Sequence, residues 1–148
     1  MPVHQRHQLE TACQGELPPL ALAGIELFNR RAYFEAHEAL EHAWRAEQGP
    51  IRELYRAILQ IGIAYYQIRR RNYRGAVKMF RRCKAWLDPF PARCRGIDLA
   101  DLRNNYLAAQ AELLSLGPDR IGEFPAQMLK PVRFTTNPSG GANYESPD

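Results

Sequence analysis

The chain has 148 residues, of which 45% are hydrophobic and 24% charged, and this composition is typical of one globular domain with a single core. Its net charge of +4 is too small to indicate nucleic-acid binding by itself. Because the chain lacks both a run of about 18 apolar residues and an apolar signal core, we expect no membrane span and a cytoplasmic protein.

The first predicted elements are a flexible segment and two helices. Residues 1–16 are polar and show no apolar period, so we expect them to be flexible. A helix begins near Pro18, because proline suits a first helical turn. A second helix, about residues 33–47, follows a short break and ends before Gly49.

The third predicted helix, residues 51–70, is the most buried. Between Ala57 and Tyr66 it is apolar almost all round, which is typical of the centre of a bundle. Gln60 interrupts that run, and a buried amide without hydrogen-bond partners costs about 1–3 kcal/mol. We expect Gln60 either to make a structural hydrogen bond or to belong to a polar site.

The fourth predicted helix, residues 73–87, is amphipathic and basic. No acidic residue occurs between Leu54 and Leu87. We define the basic face as Arg69, Arg70, Arg71, Arg74, Lys78, Arg81 and Arg82. Such a face is commonly solvated, and here it could pair in part with the acidic second helix.

The last predicted helix begins after Asp98, whose side chain suits an N-cap, and ends at Gly117. Beyond it the chain becomes rich in Pro, Gly, Ser, Asn and Thr, a composition typical of disorder. We therefore predict a flexible N-terminus at 1–16, a helical domain at 17–117 and an extended, largely disordered tail at 118–148.

An internal similarity at an offset of 40 residues predicts how the helices pack. Gly24, Tyr33, Ala36, Leu40 and Ala43 correspond to Ala64, Tyr73, Ala76, Phe80 and Cys83. Small residues at helix crossings are similar to those of tetratricopeptide hairpins, although that repeat has a period of roughly 34. We predict an all-α fold, a compact bundle of about five helices made of two stacked helical hairpins and a closing helix.

The three cysteines, Cys13, Cys83 and Cys94, are an odd number and include no CxxC pair. That pattern argues against a disulfide framework and against a structural zinc site. We expect free thiols. Neighbouring arginines could lower the pKa of Cys83 or Cys94, but no base partner is evident.

The second helix, "YFEAHEALEHAW", concentrates histidine and glutamate. His37 and Glu41 are i, i+4 neighbours and can form a hydrogen bond, which suits a general base or a metal ligand. "HEALE" is not the HExxH zinc motif, because Glu41 occupies the position of the second histidine. The alternative is a boundary His–Glu pair with its carboxylates in water.

The segment from Gly24 to Leu114 resembles the bacterial domain-of-unknown-function family 309. The family signature F-E-x-H-E-x-x-E-x-x-W is matched by Phe34, Glu35, His37, Glu38, Glu41 and Trp44, and its later positions by Gln60, Asn72, Gly75 and Ala76. The resemblance implies a small all-helical protein without an established activity. The chain departs from it at Gln67, where members often carry histidine, and at Arg71, where they often carry glycine.

Three functions remain open from the sequence. The first is a polar site that binds a divalent metal ion through His37 and Glu41, or a small polar ligand, or does acid–base chemistry. Its candidate residues are Glu35, His37, Glu38, Glu41, Trp44 and Gln60. The second is a helical-hairpin module that binds an acidic peptide, a protein partner or a second copy of the chain. RNA binding through the basic face is less favoured, because no RNA-binding motif accompanies it. No nucleophile or cofactor motif indicates a reaction, so the sequence leaves open whether the protein is an enzyme.

Overall fold

The computed structural model describes residues 3–136 and the backbone of residues 143–144. In this part of the chain the α-helices are α1 Val3–Cys13, α2 Pro19–Asn29, α3 Tyr33–Ala46, α4 Arg52–Arg69, α5 Tyr73–Phe80, α6 Cys83–Leu87 and α7 Leu99–Leu116. Short 3₁₀ helices at Ile121–Glu123 and Ala126–Met128 follow α7. Four two-residue strands, β1 Arg93–Cys94, β2 Ile97–Asp98, β3 Phe134–Thr135 and β4 Asn143–Tyr144, form one antiparallel sheet in that order. The predicted all-α bundle is confirmed.

The helical hairpins α2–α3 and α4–α5 pack in sequence, and α4 lies at their centre. Leu54, Ile58, Ile61 and Tyr65 of α4 have no solvent-exposed surface, as its apolar sequence predicts. In the first hairpin, a Cβ atom on Gly24 would lie 2.6 Å from Cγ of Leu40. Glycine therefore permits the close approach of α2 and α3.

The two hairpins share one turn geometry. Arg31 and Arg71 have φ angles of 64° and 60°, the left-handed region. Arg31 N–H donates to Phe28 O and Ala32 N–H donates to Leu27 O. The same two bonds recur 40 residues later, from Arg71 to Ile68 and from Asn72 to Gln67. This is the Schellman ending of a helix, in which glycine usually occupies the position that Arg31 and Arg71 hold here.

The predicted fourth helix is interrupted. The structure ends α5 at Phe80 and starts α6 at Cys83, so the single helix predicted over residues 73–87 is wrong at this point. Arg81 N–H donates to Lys78 O, three residues back, which tightens the last turn of α5. On the two sides of this interruption, Phe80, Cys83 and Leu87 are all buried in the core.

The N-terminal segment is helical over Val3–Cys13, where the sequence predicted a flexible segment. Leu9 and Cys13 are its buried residues, and Cys13 forms a disulfide with Cys94 of β1, 81 residues away. The expectation of free thiols is therefore wrong for this pair and holds for Cys83. With two buried residues, α1 shows almost no apolar period in the sequence. The disulfide that attaches it to the domain involves a residue 81 positions away, so a local pattern could not predict this helix.

The segment after α7 also packs on the helices, where an extended, largely disordered tail was predicted. Ile121, Leu129, Val132 and Phe134 are buried. The side chain of Asn29 in α2 donates to Val132 O at 2.9 Å and accepts from Val132 N–H at 2.7 Å, as a neighbouring strand would. The prediction is thus wrong for residues 118–136, and the rest of the predicted tail, residues 137–148, lies outside the described side chains.

None of the helices in the described residues is both long and apolar enough to span a bilayer.

Candidate functional site

The predicted His–Glu pair forms on the outer side of α3. Nε2 of His37 lies 3.5 Å from a carboxylate oxygen of Glu41, and the two side chains are about one-third exposed. The other carboxylate oxygen of Glu41 lies 2.5 Å from the guanidinium of Arg45, which is 66% exposed. Glu41 is therefore shared between a histidine and a solvated arginine, an arrangement typical of a surface network.

The remaining polar residues of the candidate site do not converge on that pair. Glu35 and Glu38 are exposed on α3. Gln60 donates its amide Nε2 to the sulfur of Met79 at 3.1 Å and so links α4 to α5. The i, i+4 spacing predicted the neighbour of His37, but it could not indicate toward which helix Gln60 points.

Trp44 belongs to a stack of arginines and indoles. The guanidinium of Arg52 lies 4.6 Å from the centre of the Trp44 ring, and that of Arg56 lies 5.3 Å away. Arg56 also lies 4.6 Å from the ring centre of Trp86 in α6, and it pairs with Glu53 at 3.4 Å. Cation–π contacts of this kind join α3, α4 and α6. Sequence reasoning missed this stack, although the i, i+4 spacing of Arg52 and Arg56 was a visible signal.

A second surface feature, which we call the aromatic row, crosses from α3 to α4. It consists of His37, Phe34, Tyr66 and Arg70. The ring centre of Phe34 lies 6.4 Å from that of His37 and 6.1 Å from that of Tyr66. The guanidinium of Arg70 lies 5.4 Å from the Tyr66 ring. Phe34 is 52% exposed, so this contact displays an apolar ring to solvent.

The metal hypothesis lacks ligands in the described residues. There, no group of three or more His, Cys, Asp or Glu side chains is arranged to hold a metal ion. His37 and Glu41 supply two ligands, whereas a protein zinc site commonly needs three or four. The geometry therefore does not support the proposed divalent metal.

All seven side chains of the basic face are exposed to solvent. Within residues 3–136, none of its seven side chains forms an ion pair with a carboxylate, so the expected partial pairing with α3 is not observed. Arg69 instead donates to Arg31 O at 3.2 Å. A Cβ atom on Gly122 would lie 3.3 Å from the Arg71 guanidinium, so Arg71 packs against the segment after α7.

The strongest perturbations of pKa lie in the core, away from the candidate site. Burial raises the pKa of the Cys83 thiol to about 12, which is the opposite of the activation that nearby arginines could have produced. Burial also raises the pKa of Tyr33 to about 12 and raises that of Tyr65. These groups stay neutral and structural at ordinary pH.

Comparison with known proteins supports the family resemblance and adds no activity. No curated protein matches the sequence. The model of the family described as "Domain of unknown function (DUF309)" matches residues 21–79, the part of the chain that forms the two hairpins. The resemblance seen in the sequence is confirmed: over residues 21–79 the chain matches the DUF309 family.

Proposed function

We propose that the protein is a helical-hairpin interaction module that binds a segment of a partner protein at the aromatic row. The observation that carries this proposal is the exposure of Phe34, a phenyl ring in contact with Tyr66 on the neighbouring helix. Exposed aromatic rings that rest on a rigid helical surface are common anchors of protein interfaces. The family signature that the sequence resembles includes Phe34.

The charges around the aromatic row define the partner. Arg70 at one end of the row belongs to the basic face, whose side chains form no ion pair within residues 3–136 and so favour acidic residues in the partner. Glu35 and Glu38 are exposed on α3, the helix that carries Phe34. We therefore infer a partner segment with one apolar anchor over Phe34 and acidic residues toward the basic face.

These same charges argue against the RNA alternative. An RNA strand carries phosphates on both sides of any base that stacks on the rings, so part of its charge would face the exposed carboxylates of Glu35 and Glu38. The proposed peptide carries its acidic residues on one side of the anchor only, toward the basic face. The polar-site alternative rests on His37 and Glu41, whose contacts are those of a surface pair. We also propose that the protein is cytoplasmic, an inference that rests on its sequence alone.

The test is a fluorescence binding assay with synthetic peptides that carry one phenylalanine or leucine followed by four glutamates. Phe34→Ala should weaken binding about tenfold, which corresponds to about 1.4 kcal/mol, because the apolar anchor loses its contact. Arg70→Ala should weaken it less and reduce its dependence on salt. Leu107→Ala is the matched control, since Leu107 is also an exposed apolar side chain but lies on α7.

Two outcomes would contradict the proposal. One is equal loss of peptide binding in the Phe34 and Leu107 variants. The other is tight, steeply salt-dependent binding of a fluorescent single-stranded RNA together with no peptide binding, which would favour the RNA alternative. Sedimentation velocity tests whether a second copy of the chain occupies the aromatic row instead. In that case the wild-type protein would sediment as a dimer and the Phe34→Ala variant as a monomer.

A further inference from the structure

The Cys13–Cys94 disulfide lies beside an accessible cavity. The cavity has a volume of about 480 Å³, and Cys13, Gly15, Leu17, Arg93, Arg95 and Thr135 are among the residues that line it. Cys13 retains 8% exposure, whereas Cys94 is almost completely buried and is not part of the lining. Of the two bonded cysteines, Cys13 is therefore the one that a reagent in the cavity reaches first.

We propose that this disulfide is a reversible redox site, at which a dithiol reductant loosens the first turns of α1 and opens a second, apolar cavity. A thiolate of the reductant attacks Sγ of Cys13, the S–S bond breaks, and Cys94 leaves as a thiolate. The second thiol of the reductant then attacks the mixed disulfide and releases Cys13. Two electrons and two protons pass to the protein, which gains two thiols, and the dithiol leaves as a disulfide.

The charges at the cavity favour this exchange. Arg93, Arg95 and one carboxylate, that of Glu16, line it, so the lining has a net positive charge even though Arg95 also pairs with Glu47 at 3.4 Å. A net positive charge favours the thiolate that attacks Cys13. Arg95 also holds the end of α1: its backbone N–H donates to Cys13 O at 2.7 Å and its Nε donates to Ala12 O at 2.9 Å. These bonds do not depend on the disulfide, so they keep the two cysteines close and favour its re-formation.

The position of α1 gives reduction a structural consequence. Gln5, Gln8 and Leu9 of α1 form one side of a cavity of about 350 Å³. The opposite side carries Trp86 and Phe90. Leu9 is the one buried side chain of α1 besides Cys13, and an isolated helix of this length is marginal in water. Once the covalent bond is broken, the hydrogen bonds from Arg95 still hold the C-terminal end of α1, at Ala12 and Cys13. The earlier turns, with Leu9 as their buried side chain, are then free to move away from these rings.

The predicted compartment gives the site a context. The sequence predicts a cytoplasmic protein, and disulfides in a reducing cytoplasm are usually transient or redox-sensing. If the disulfide opens under such conditions, the ratio of thiols to disulfides in the cell would control how far Trp86 is exposed to solvent. This inference does not depend on the proposed binding at the aromatic row, which lies on other residues.

Intrinsic fluorescence of the full chain tests the proposal, because the sequence contains two tryptophans, Trp44 and Trp86. In the Trp44→Phe variant, dithiothreitol should increase acrylamide quenching of Trp86 about twofold and move its emission to longer wavelength, since local opening admits solvent. The free-thiol count, measured by mass after alkylation in denaturant, should rise from one to three. Oxidation should reverse both changes.

Controls separate local opening from general unfolding. In the Trp86→Phe variant, the remaining Trp44 does not line the cavity and its quenching should not respond to dithiothreitol. A double variant, Cys13→Ser with Cys94→Ser, should resemble the reduced protein and ignore the reductant. The proposal is overturned by a disulfide that resists dithiothreitol in the native protein, by reduction without a change at Trp86, or by an equal change at Trp44 with loss of the far-UV helical signal.

Discussion

The two hairpins share the same turn geometry but carry surface charges of opposite sign. An arginine at positive φ follows both α2 and α4, two residues after the last helical residue, with the same pair of backbone hydrogen bonds. The helix that follows the first turn, α3, has 14 residues and exposes glutamates, whereas α5 has 8 residues and exposes Arg74 and Lys78. A repeated backbone therefore supports two different surface chemistries, because helix crossings constrain only the inward residues.

The interior of the hairpins differs as well. Leu40 of the first hairpin fits against Gly24, while the corresponding Phe80 lies 6.3 Å from the ring of Tyr65 and 6.4 Å from that of Tyr106 in α7. The second hairpin thus carries the attachment of the closing helix. Substitutions at corresponding positions can show how much each difference contributes.

The largest effect is expected at the attachment of α7. Phe80→Ala should lower the free energy of unfolding by about 4 kcal/mol, because it leaves a cavity between two tyrosine rings, and Leu40→Ala should lower it by about 3 kcal/mol. Urea denaturation followed by circular dichroism measures both. Val77→Ala, at a half-buried position of α5, serves as the control with a loss of about 1 kcal/mol. A larger loss from Leu40→Ala than from Phe80→Ala would contradict the role assigned to the second hairpin.

The close crossing of the first hairpin comes next. Gly24→Ala should destabilise the protein by about 2 kcal/mol, because its methyl group meets Leu40, although alanine favours a helix. Combining it with Leu40→Ala should remove most of that cost, and a double-mutant cycle in urea measures the coupling. Additive losses would show that the methyl group is accommodated by movement of the helices.

Alkaline pH should distinguish the corresponding tyrosines. Burial raises the pKa of Tyr33 from 10.0 to about 12, so its stabilising contribution is complete below pH 10 and is lost as pH rises toward 12. Tyr33→Phe should reduce the loss of unfolding free energy between about pH 9 and about pH 11 by about 1 kcal/mol. Tyr73→Phe, at a position that is only partly buried, is the control. Equal effects of both variants would contradict the assignment to burial.

The smallest effect is expected at the two turns. Arg31→Gly and Arg71→Gly should each stabilise the protein by about 0.5 kcal/mol, because glycine adopts positive φ without strain. The gain is limited by lost contacts, such as that of Arg71 with Gly122. Lys78→Gly, inside α5, should instead destabilise by about 1 kcal/mol in the same thermal unfolding measurement. Destabilisation by Arg71→Gly would mean that the contact with Gly122 outweighs the backbone strain.

Local patterns predicted the helices well. Apolar periods located α2, α3, α4 and α7, and the side chain of Asp98 caps α7 by accepting from the Asp101 N–H. The offset of 40 residues also anticipated the paired hairpins. Each of these features depends on neighbours within a few turns of helix or on repeated spacing.

Contacts between distant parts of the chain were beyond such patterns. Nothing near Cys13 indicates Cys94 as its partner, and an odd number of cysteines argued against any pair. The segment around Val132 has no helical period. Its backbone is hydrogen-bonded by the side chain of Asn29 in α2, a contact that no local pattern could predict. At the candidate site, spacing predicted the contact of His37 with Glu41, but the direction of Gln60 depends on the packing of α5 against α4.

The small sheet gives the molecule a short path for mechanical load. Tension applied between α1 and residue 136 would pass from Cys13 through the disulfide to β1, and then across β2 to β3. The 81-residue separation that this bond spans contains both hairpins, and α7 lies between β2 and β3. Under force the oxidised protein would therefore yield first at the β2–β3 hydrogen bonds, while the hairpins remain unloaded until the disulfide is reduced.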